Sequence, residues 1–237
     1  MKRIGLLGGM SWESSLEYYR LVNQEVRERL GGLHSADCVL RSVDFAPVEQ
    51  LQRTGRWDQA GELLAGEART LVAAGAELLV LCTNTTHKLA DHISDAVQIP
   101  LVHIADTTAE AVRAQGMTSV GLLATAYTME QDFYVGRLRD RHHLQVLVPD
   151  QADRHLVHEV IYQELCVGVV EEGSRQAYRR IMRDLSGRGA EGILFGCTEI
   201  DLLVGPDDAP VPVFDTPRLH ARKAVELAVT GEHPRHG

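Results

Sequence analysis

The sequence has no hydrophobic run that approaches the roughly 20 apolar residues of a membrane span. It has no excess of basic charge either, because 24 Lys and Arg stand against 33 Asp and Glu, for a formal net charge of −9. Phosphate neutralisation supplies most nucleic-acid affinity, so an acidic chain without a basic stripe binds nucleic acid poorly. These absences predict a protein with neither a membrane nor a nucleic acid as partner.

Cysteine motifs are also missing. The four cysteines, Cys38, Cys82, Cys166 and Cys197, form no C-x-x-C pair, so no structural zinc site and no other metal site is expected. They are too scattered for a disulfide scaffold, and the apolar stretch at residues 4–9 is too short for a signal peptide. We therefore expect reduced thiols in a cytoplasmic protein. For Cys38 and Cys166 the simplest interpretation is a small buried hydrophobe.

A nucleotide-binding loop is the third absence. Gly5, Gly8 and Gly9 do not match G-x-G-x-x-G, and no G-K-[ST] occurs. The sequence instead alternates short strand-like runs with helix-like stretches, which predicts an α/β fold with a mainly parallel sheet. In the first helix-like stretch, residues 14–17 match a capping box, and Leu16, Tyr19, Val26 and Leu30 are predicted to share the buried face.

The sequence also contains an internal repeat. Residues 75–83 match 189–197, residues 5–7 match 121–123, and residues 100–107 match 211–216, in the same order and at nearly the same offset. Chance similarity between α/β strands is the alternative explanation. We predict two similar Rossmann-like or flavodoxin-like α/β domains with mainly parallel sheets, related by an internal pseudo-twofold duplication. The first comprises residues 1–100 plus 212–237, and the second comprises residues 101–211.

Thr83 and Cys197 occupy equivalent positions in this repeat, each at the carboxyl end of a strand, where open α/β sheets bind ligands. Small polar residues follow them, Asn84 and Thr85 in one half and Thr198 in the other, and their backbone N–H groups suit a carboxylate. If the halves face each other across a cleft, one residue can remove a proton while the other returns one to the opposite face. A following helix N-terminus should lower the pKa of Cys197. A small buried residue at a strand end is the alternative interpretation of Cys197.

Three weaker signals each leave two interpretations. Thr125 and Thr128, in the second-half turn that mirrors residues 9–11, can contact a ligand or cap a helix. His87 can carry protons behind the site or serve as a satisfied structural group. Arg53 can pair with a substrate carboxylate or lie solvated in a loop.

Four motifs together resemble the aspartate/glutamate racemase family of cofactor-independent amino-acid racemases, over nearly the whole chain. They are residues 8–14 (Gly-Gly-Met-Ser-Trp-Glu-Ser), 83–88 (Thr-Asn-Thr-Thr-His-Lys), 125–129 (Thr-Ala-Tyr-Thr-Met) and 196–199 (Gly-Cys-Thr-Glu). The resemblance implies two similar α/β domains with the active site between them, and a homodimer. It implies 1,1-proton transfer at the α-carbon of an acidic amino acid, with two opposed thiols and neither pyridoxal phosphate nor metal.

One of the two expected thiols is absent. The usual first-half motif is Cys-Asn-Thr, but here it is Thr83-Asn84-Thr85, with Cys82 one place early. Adjacent strand residues face opposite sides of a sheet, so Cys82 should not reach the site. The chain resembles the L-aspartate/glutamate-specific racemases of enteric bacteria in having that same threonine. This implies that Cys197 acts as the thiolate base and that Thr83 donates or relays a proton on the other face. We expect asymmetric activity that favours the L form.

The substrate-binding residues expected from these motifs and their surroundings are Met10, Ser11, Gln52, Asn84, Thr85, Thr125, Thr128 and Thr198. Family members resemble one another in a lysine near position 166, where this chain has Cys166, which puts a strict preference for Asp or Glu in doubt. Two alternatives remain open. A maleate isomerase or hydantoin racemase would use opposed cysteines, so Thr83 counts against it. An amino-acid-binding protein would bind without turnover.

Overall fold

The computed structural model describes residues 1–232, and its chain divides into two units. One unit holds residues 1–103 and the segment that begins at His220, and the other holds residues 104–219. Strand pairing explains why these limits differ from 1–100 with 212–237 and 101–211. Residues 101–102 pair with a strand of the first sheet, and residues 213–215 pair with a strand of the second.

The first unit is a four-stranded sheet flanked by helices on both faces. Its elements are β1 (Ile4–Gly8), α1 (Trp12–Leu30), β2 (Cys38–Ser42), α2 (Phe45–Arg53), α3 (Trp57–Ala73), β3 (Leu78–Leu81), a 3-10 turn (Thr85–Leu89), α4 (Ala90–Asp95) and β4 (Leu101–Val102). The last helix, α11 (Thr216–Thr230), begins in the second unit and belongs to the first unit from His220 onward.

The second unit has the same plan. It comprises α5 (Ile104–Ala114), β5 (Ser119–Ala124), α6 (Ala126–Glu130), α7 (Asp132–His142), β6 (Gln145–Leu147), α8 (Gln151–Gln163), a 3-10 turn (Leu165–Val167), α9 (Glu172–Gly187), β7 (Gly192–Gly196), α10 (Ile200–Leu203), a 3-10 turn (Pro206–Asp208), β8 (Val213–Asp215) and the start of α11 (Thr216–Thr230). The expectation of two similar α/β domains is confirmed.

Both sheets are parallel throughout and have equivalent strand orders, β2-β1-β3-β4 and β6-β5-β7-β8. This is the flavodoxin-like order, whose switch point lies between the first and third strands. In the first unit, side chains alternate between two apolar layers. Leu7, Leu79 and Leu81 pack toward α3 and α4, whereas Leu6 and Val80 pack toward α1 and α11. The central strands are therefore buried on both faces.

The buried face of α1 differs from the prediction. The helix begins at Trp12 with Ser11 as its N-cap, whose Oγ accepts from the Ser14 N–H at 3.2 Å. Leu16, Tyr19 and Leu30 are 58%, 49% and 41% exposed, and of the predicted face only Val26 is buried. The inward face instead includes Ser14 and Ser15, because their hydroxyls bond to backbone groups of neighbouring loops.

Candidate active site

In the first unit the candidate residues gather where β1 and β3 end side by side, with Leu7 opposite Leu81. Met10 and Ser11 follow β1 and are buried, as are Asn84 and Thr85 after β3. Gln52, near the end of α2, is also buried. This edge is the switch point of the sheet, where ligands of doubly wound folds bind.

Glycine shapes the loop after β1. Gly9 has a φ of +93°, and a Cβ there would collide with the backbone of Val43. The Val43 N–H donates to the Gly8 carbonyl at 3.1 Å, which presses the two loops together. The Gly9 N–H donates to Ser15 Oγ at 2.6 Å. Only a residue without a side chain allows this close approach.

Thr83 is half-buried in a short reversal after β3. Its N–H donates to the Leu81 carbonyl at 2.8 Å, so the chain has already left the ladder. Its own carbonyl accepts from His87 Nδ1 at 2.6 Å. The Thr83 backbone is therefore bonded on both sides.

Cys82 directly follows β3, but its side chain turns into the core. It is completely buried in the apolar layer that faces α1 and α11, and its Sγ lies 3.8 Å from the Val80 carbonyl oxygen. Burial raises the pKa of its thiol far above the ordinary value. As strand alternation predicted, its side chain shares the apolar layer of Val80.

In the second unit, Thr125 and Cys197 directly follow the paired residues Ala124 and Gly196, which end β5 and β7. Thr125 is the N-cap of α6, and its carbonyl accepts from the N–H groups of Thr128 and Met129, both at 3.0 Å. The hydroxyl oxygens of Thr125 and Thr128 are 3.2 Å apart. This edge is the equivalent switch point.

Cys197 is half-buried beside a carboxylate. Its Sγ donates to Glu199 Oε2 at 2.9 Å, and the Thr198 hydroxyl donates to the same oxygen at 2.6 Å. Burial and the negative charge of Glu199 raise the pKa of the Cys197 thiol well above its usual range. The predicted lowering of this pKa is wrong, since α10 has only four residues and a carboxylate opposes a second negative charge.

Glu199 is the residue that sequence reasoning missed. It is buried and touches the thiol. Its signal was present in the Gly-Cys-Thr-Glu motif at residues 196–199, but only folding shows that the carboxylate turns back onto Cys197. The arrangement gives the thiol a proton acceptor within hydrogen-bond reach.

The other thiols and Arg53 have simpler surroundings. Cys38 and Cys166 are half-buried against apolar cores. Cys166, on the 3-10 turn after α8, is close enough to Cys197 for charge interaction between them to raise the pKa of Cys197 further, after burial and Glu199. Arg53 ends α2 largely exposed, with its Nε 3.6 Å from Glu49 Oε1.

Two observations apply across residues 1–232. No helix there is long and apolar enough to cross a membrane. No group of three or more His, Cys, Asp or Glu side chains in that part of the chain is arranged to hold a metal ion.

A protein-family model described as Asp/Glu/Hydantoin racemase matches residues 7–224, which include both switch-point edges. The chain belongs to this family. Its class as an amino-acid racemase follows from that membership, as the motifs predicted.

Three proteins illustrate what this chain is similar to. A Yersinia pestis protein provisionally assigned as an Asp/Glu racemase is 54% identical, with a TM-score of 0.91 over 97% of this chain and 100% of that one. An aspartate racemase homologue from Pyrococcus horikoshii OT3 is 33% identical, with a TM-score of 0.84 over 97% and 100%. The broad specificity amino-acid racemase RacX of Bacillus subtilis is 19% identical over 94% of this chain and 96% of its own.

Proposed function

We propose that this racemase interconverts the enantiomers of Asp and Glu by moving the α-proton, with Cys197 and Thr83 acting on opposite faces and without pyridoxal phosphate or metal. The observation that carries the proposal is the equivalence of the two residues. They follow the third strands of two sheets with the same order, β3 and β7. The Asp/Glu racemase assignment of the 54% identical Yersinia pestis protein supports the substrate class.

Cys197 begins the reaction as a thiol, because burial and Glu199 hold its pKa high. Glu199 Oε2, 2.9 Å from Sγ, takes the thiol proton, and the thiolate then removes the α-hydrogen. Proton transfer by a positioned base is worth about 10²- to 10⁴-fold in rate. The carboxylate that raises the pKa of the thiol is thus also the group that activates it.

Thr83 completes the transfer on the other face. A threonine hydroxyl ionises far above neutral pH, so in the L-to-D direction the thiolate of Cys197, and not Thr83, is the base. Thr83 donates its proton to the carbanion while taking one from water. The proton that Glu199 took from the thiol then neutralises the resulting hydroxide through solvent, so no alkoxide forms and every group regains its starting state. This relay makes the two directions of the reaction chemically different.

The carbanion needs stabilisation, since a thiolate is a weak base for an α-hydrogen. Each hydrogen-bond donor aimed at the developing charge is worth about 3 kcal/mol. We assign this role to the backbone N–H groups of Asn84, Thr85 and Thr198, together with the hydroxyls of Ser11, Thr125 and Thr128. Met10 and Gln52 border the side-chain end of the substrate.

A broader substrate range is the second candidate function, and two observations favour it. Cys166 stands where the family resemblance implies a lysine, which removes one cationic contact to a substrate carboxylate. RacX, 19% identical over nearly the whole chain, is described as having broad specificity. Neutral amino acids of the homoserine type therefore belong in the substrate panel.

The expected asymmetry has a defined form. Two enantiomers have equal free energies, so kcat/KM must be equal in the two directions. The difference between Cys197 and Thr83 appears instead in kcat and KM separately, and in solvent exchange. The thiol takes the α-hydrogen of the L form in this proposal, so the L form should exchange faster than it inverts.

The test is α-deuteration in D₂O across L and D amino acids, with optical rotation followed in parallel. The wild type should deuterate and racemise Asp and Glu. Cys197→Ser should lose both, whereas Thr83→Ala should still deuterate the L form without inverting it. Cys82→Ala is the matched thiol control and should behave as the wild type. Full activity in Cys197→Ser, or loss only in Cys82→Ala, contradicts the assignment, and binding without exchange contradicts the enzyme.

The family resemblance also supports a homodimer, and the four free cysteines fit a cytoplasmic location. Light scattering after gel filtration should give twice the mass of one chain. A single-chain mass at enzyme concentrations that show activity would contradict this part of the proposal.

A further inference from the structure

Three buried histidines cluster behind Thr83 in the first unit, and the proton transfer proposed above does not use them. His87, His103 and His220 are 2%, 8% and 0% exposed. The ring centroid of His87 lies 4.7 Å from that of His103 and 5.6 Å from that of His220. Tyr18 packs edge-on against His220 at 5.6 Å. Because the four side chains come from separate parts of the chain, their meeting is a product of the fold.

Backbone carbonyls fix the hydrogens on two of these rings. A carbonyl only accepts, so His87 Nδ1, 2.6 Å from the Thr83 oxygen, carries a hydrogen. His220 Nε2 likewise donates to the Val102 carbonyl at 2.7 Å. The Tyr18 hydroxyl lies 2.8 Å from His220 Nδ1 and donates to it in the neutral ring. The two rings thus carry hydrogens on opposite nitrogens.

These contacts run as a chain from the core to Thr83. Tyr18 on α1 and the β4 carbonyl hold His220 on α11, and His220 packs against His87. His87 then bonds to the carbonyl of Thr83, which lies beyond the end of β3 and so has no partner in the sheet ladder. The bond therefore replaces a sheet hydrogen bond where the chain turns.

We propose that His87 is a positioning residue for Thr83 and that His103 and His220 hold its ring in place. The inference rests on the proposed role of Thr83 in proton transfer. An error of about 1 Å in placing a reacting group can cost about 100-fold in rate. Because His87 Nδ1 bonds to the carbonyl and not to the hydroxyl, the bond sets where Thr83 lies and does not carry its proton.

A pair of substitutions separates this role from simple filling of space. The amide nitrogen of Asn can occupy the position of His Nδ1, whereas that of Gln reaches one bond further. We expect His87→Asn to keep kcat within about threefold of the wild type and His87→Gln to lose at least about tenfold, with KM little changed. His87→Gln should still deuterate the L form in D₂O, because Cys197 is untouched. His92→Gln, an exposed histidine on α4 in the same unit, is the control and should match the wild type.

Equal loss in both His87 variants, or equal retention, would overturn the inference while leaving the racemase intact. Absence of turnover in the wild type would instead remove the proposed function, and the inference with it. A second measurement uses only the wild-type protein and so does not depend on whether the variants fold. Nitrogen-15 NMR of the imidazoles should show a hydrogen on His87 Nδ1 and on His220 Nε2, and a His87 ring protonated only at Nε2 would contradict the bond to Thr83.

Discussion

At the scale of single residues, the chemistry of Cys197 depends on the side chain two places along the chain. A thiol at a strand end beside a helix start is a candidate for a lowered pKa. Here the following helix is one turn long, the thiol is half-buried, and Glu199 accepts its hydrogen. The result is a raised pKa and a base already in contact with the thiol.

Glu199→Gln tests this pairing. Glutamine cannot take the thiol proton, so we expect kcat at neutral pH to fall by about 100-fold. The substitution also removes the negative charge that raises the pKa of Cys197, so the variant should recover activity as pH rises through the alkaline range. A pH profile of kcat is the measurement. Glu159→Gln, an exposed glutamate of the same unit, is the matched control. A Glu199→Gln enzyme with the rate and pH profile of the wild type would rule out the proposed base.

At the scale of secondary structure elements, the first turn of α1 determines how the loop after β1 is held. Ser15 Oγ accepts the Gly9 N–H and donates to the Ser11 carbonyl at 2.9 Å, and Ser14 Oγ donates to the Cys82 carbonyl at 2.8 Å. Buried backbone groups require partners, and short hydroxyl side chains supply them without holding the helix away. This is why the polar residues of the motif face inward and Leu16 faces solvent.

Ser15→Ala should therefore destabilise the first unit. The Gly9 N–H loses its acceptor in a buried setting, which costs about 1–3 kcal/mol. Urea unfolding measures the loss, and we expect KM to rise as the loop that carries Met10 and Ser11 loosens. Ser35→Ala, at an exposed position before β2, should change neither. Unchanged stability in Ser15→Ala would show that Gly9 finds another acceptor.

At the scale of the whole molecule, both units bury thiol or phenol groups that would ionise at alkaline pH in water. Burial raises the pKa values of Cys82 in the first unit and of Tyr178 and Cys197 in the second. Above the ordinary pKa values of thiols and phenols, the unfolded chain ionises these groups and the folded chain does not. The folded state then binds more protons, so its stability is complete at neutral pH and falls as pH rises.

Tyr178→Phe isolates one of these groups. Each such group contributes a slope of at most about 1.4 kcal/mol per pH unit above its unfolded pKa. We expect the variant to lose a little stability at pH 7, because the Tyr178 hydroxyl donates to the Val157 carbonyl at 3.2 Å. Its unfolding free energy should then decline less steeply than that of the wild type above about pH 10. Tyr19→Phe, at an exposed position on α1, should follow the wild-type curve. Parallel curves for Tyr178→Phe and the wild type would contradict the assignment.

Patterns repeated along the chain determined the architecture. Alternating apolar and helical stretches predicted parallel α/β units, and the internal match placed Thr83 and Cys197 after equivalent strands. Strand alternation alone was enough to predict that the Cys82 side chain points into the core. These features depend on the periodicity of neighbouring residues, which a sequence displays directly.

Tertiary structure decided which side chains contact the loop after β1, Cys197 and Thr83. The inward serines of α1, the carboxylate on Cys197 and the histidine on the Thr83 carbonyl each depend on a side-chain direction or a chain reversal that no local pattern records. Tyr18 and His220 are 202 positions apart, yet they share a hydrogen bond. Such pairings arise because a folding chain must satisfy buried polar groups with whatever partners packing brings near them.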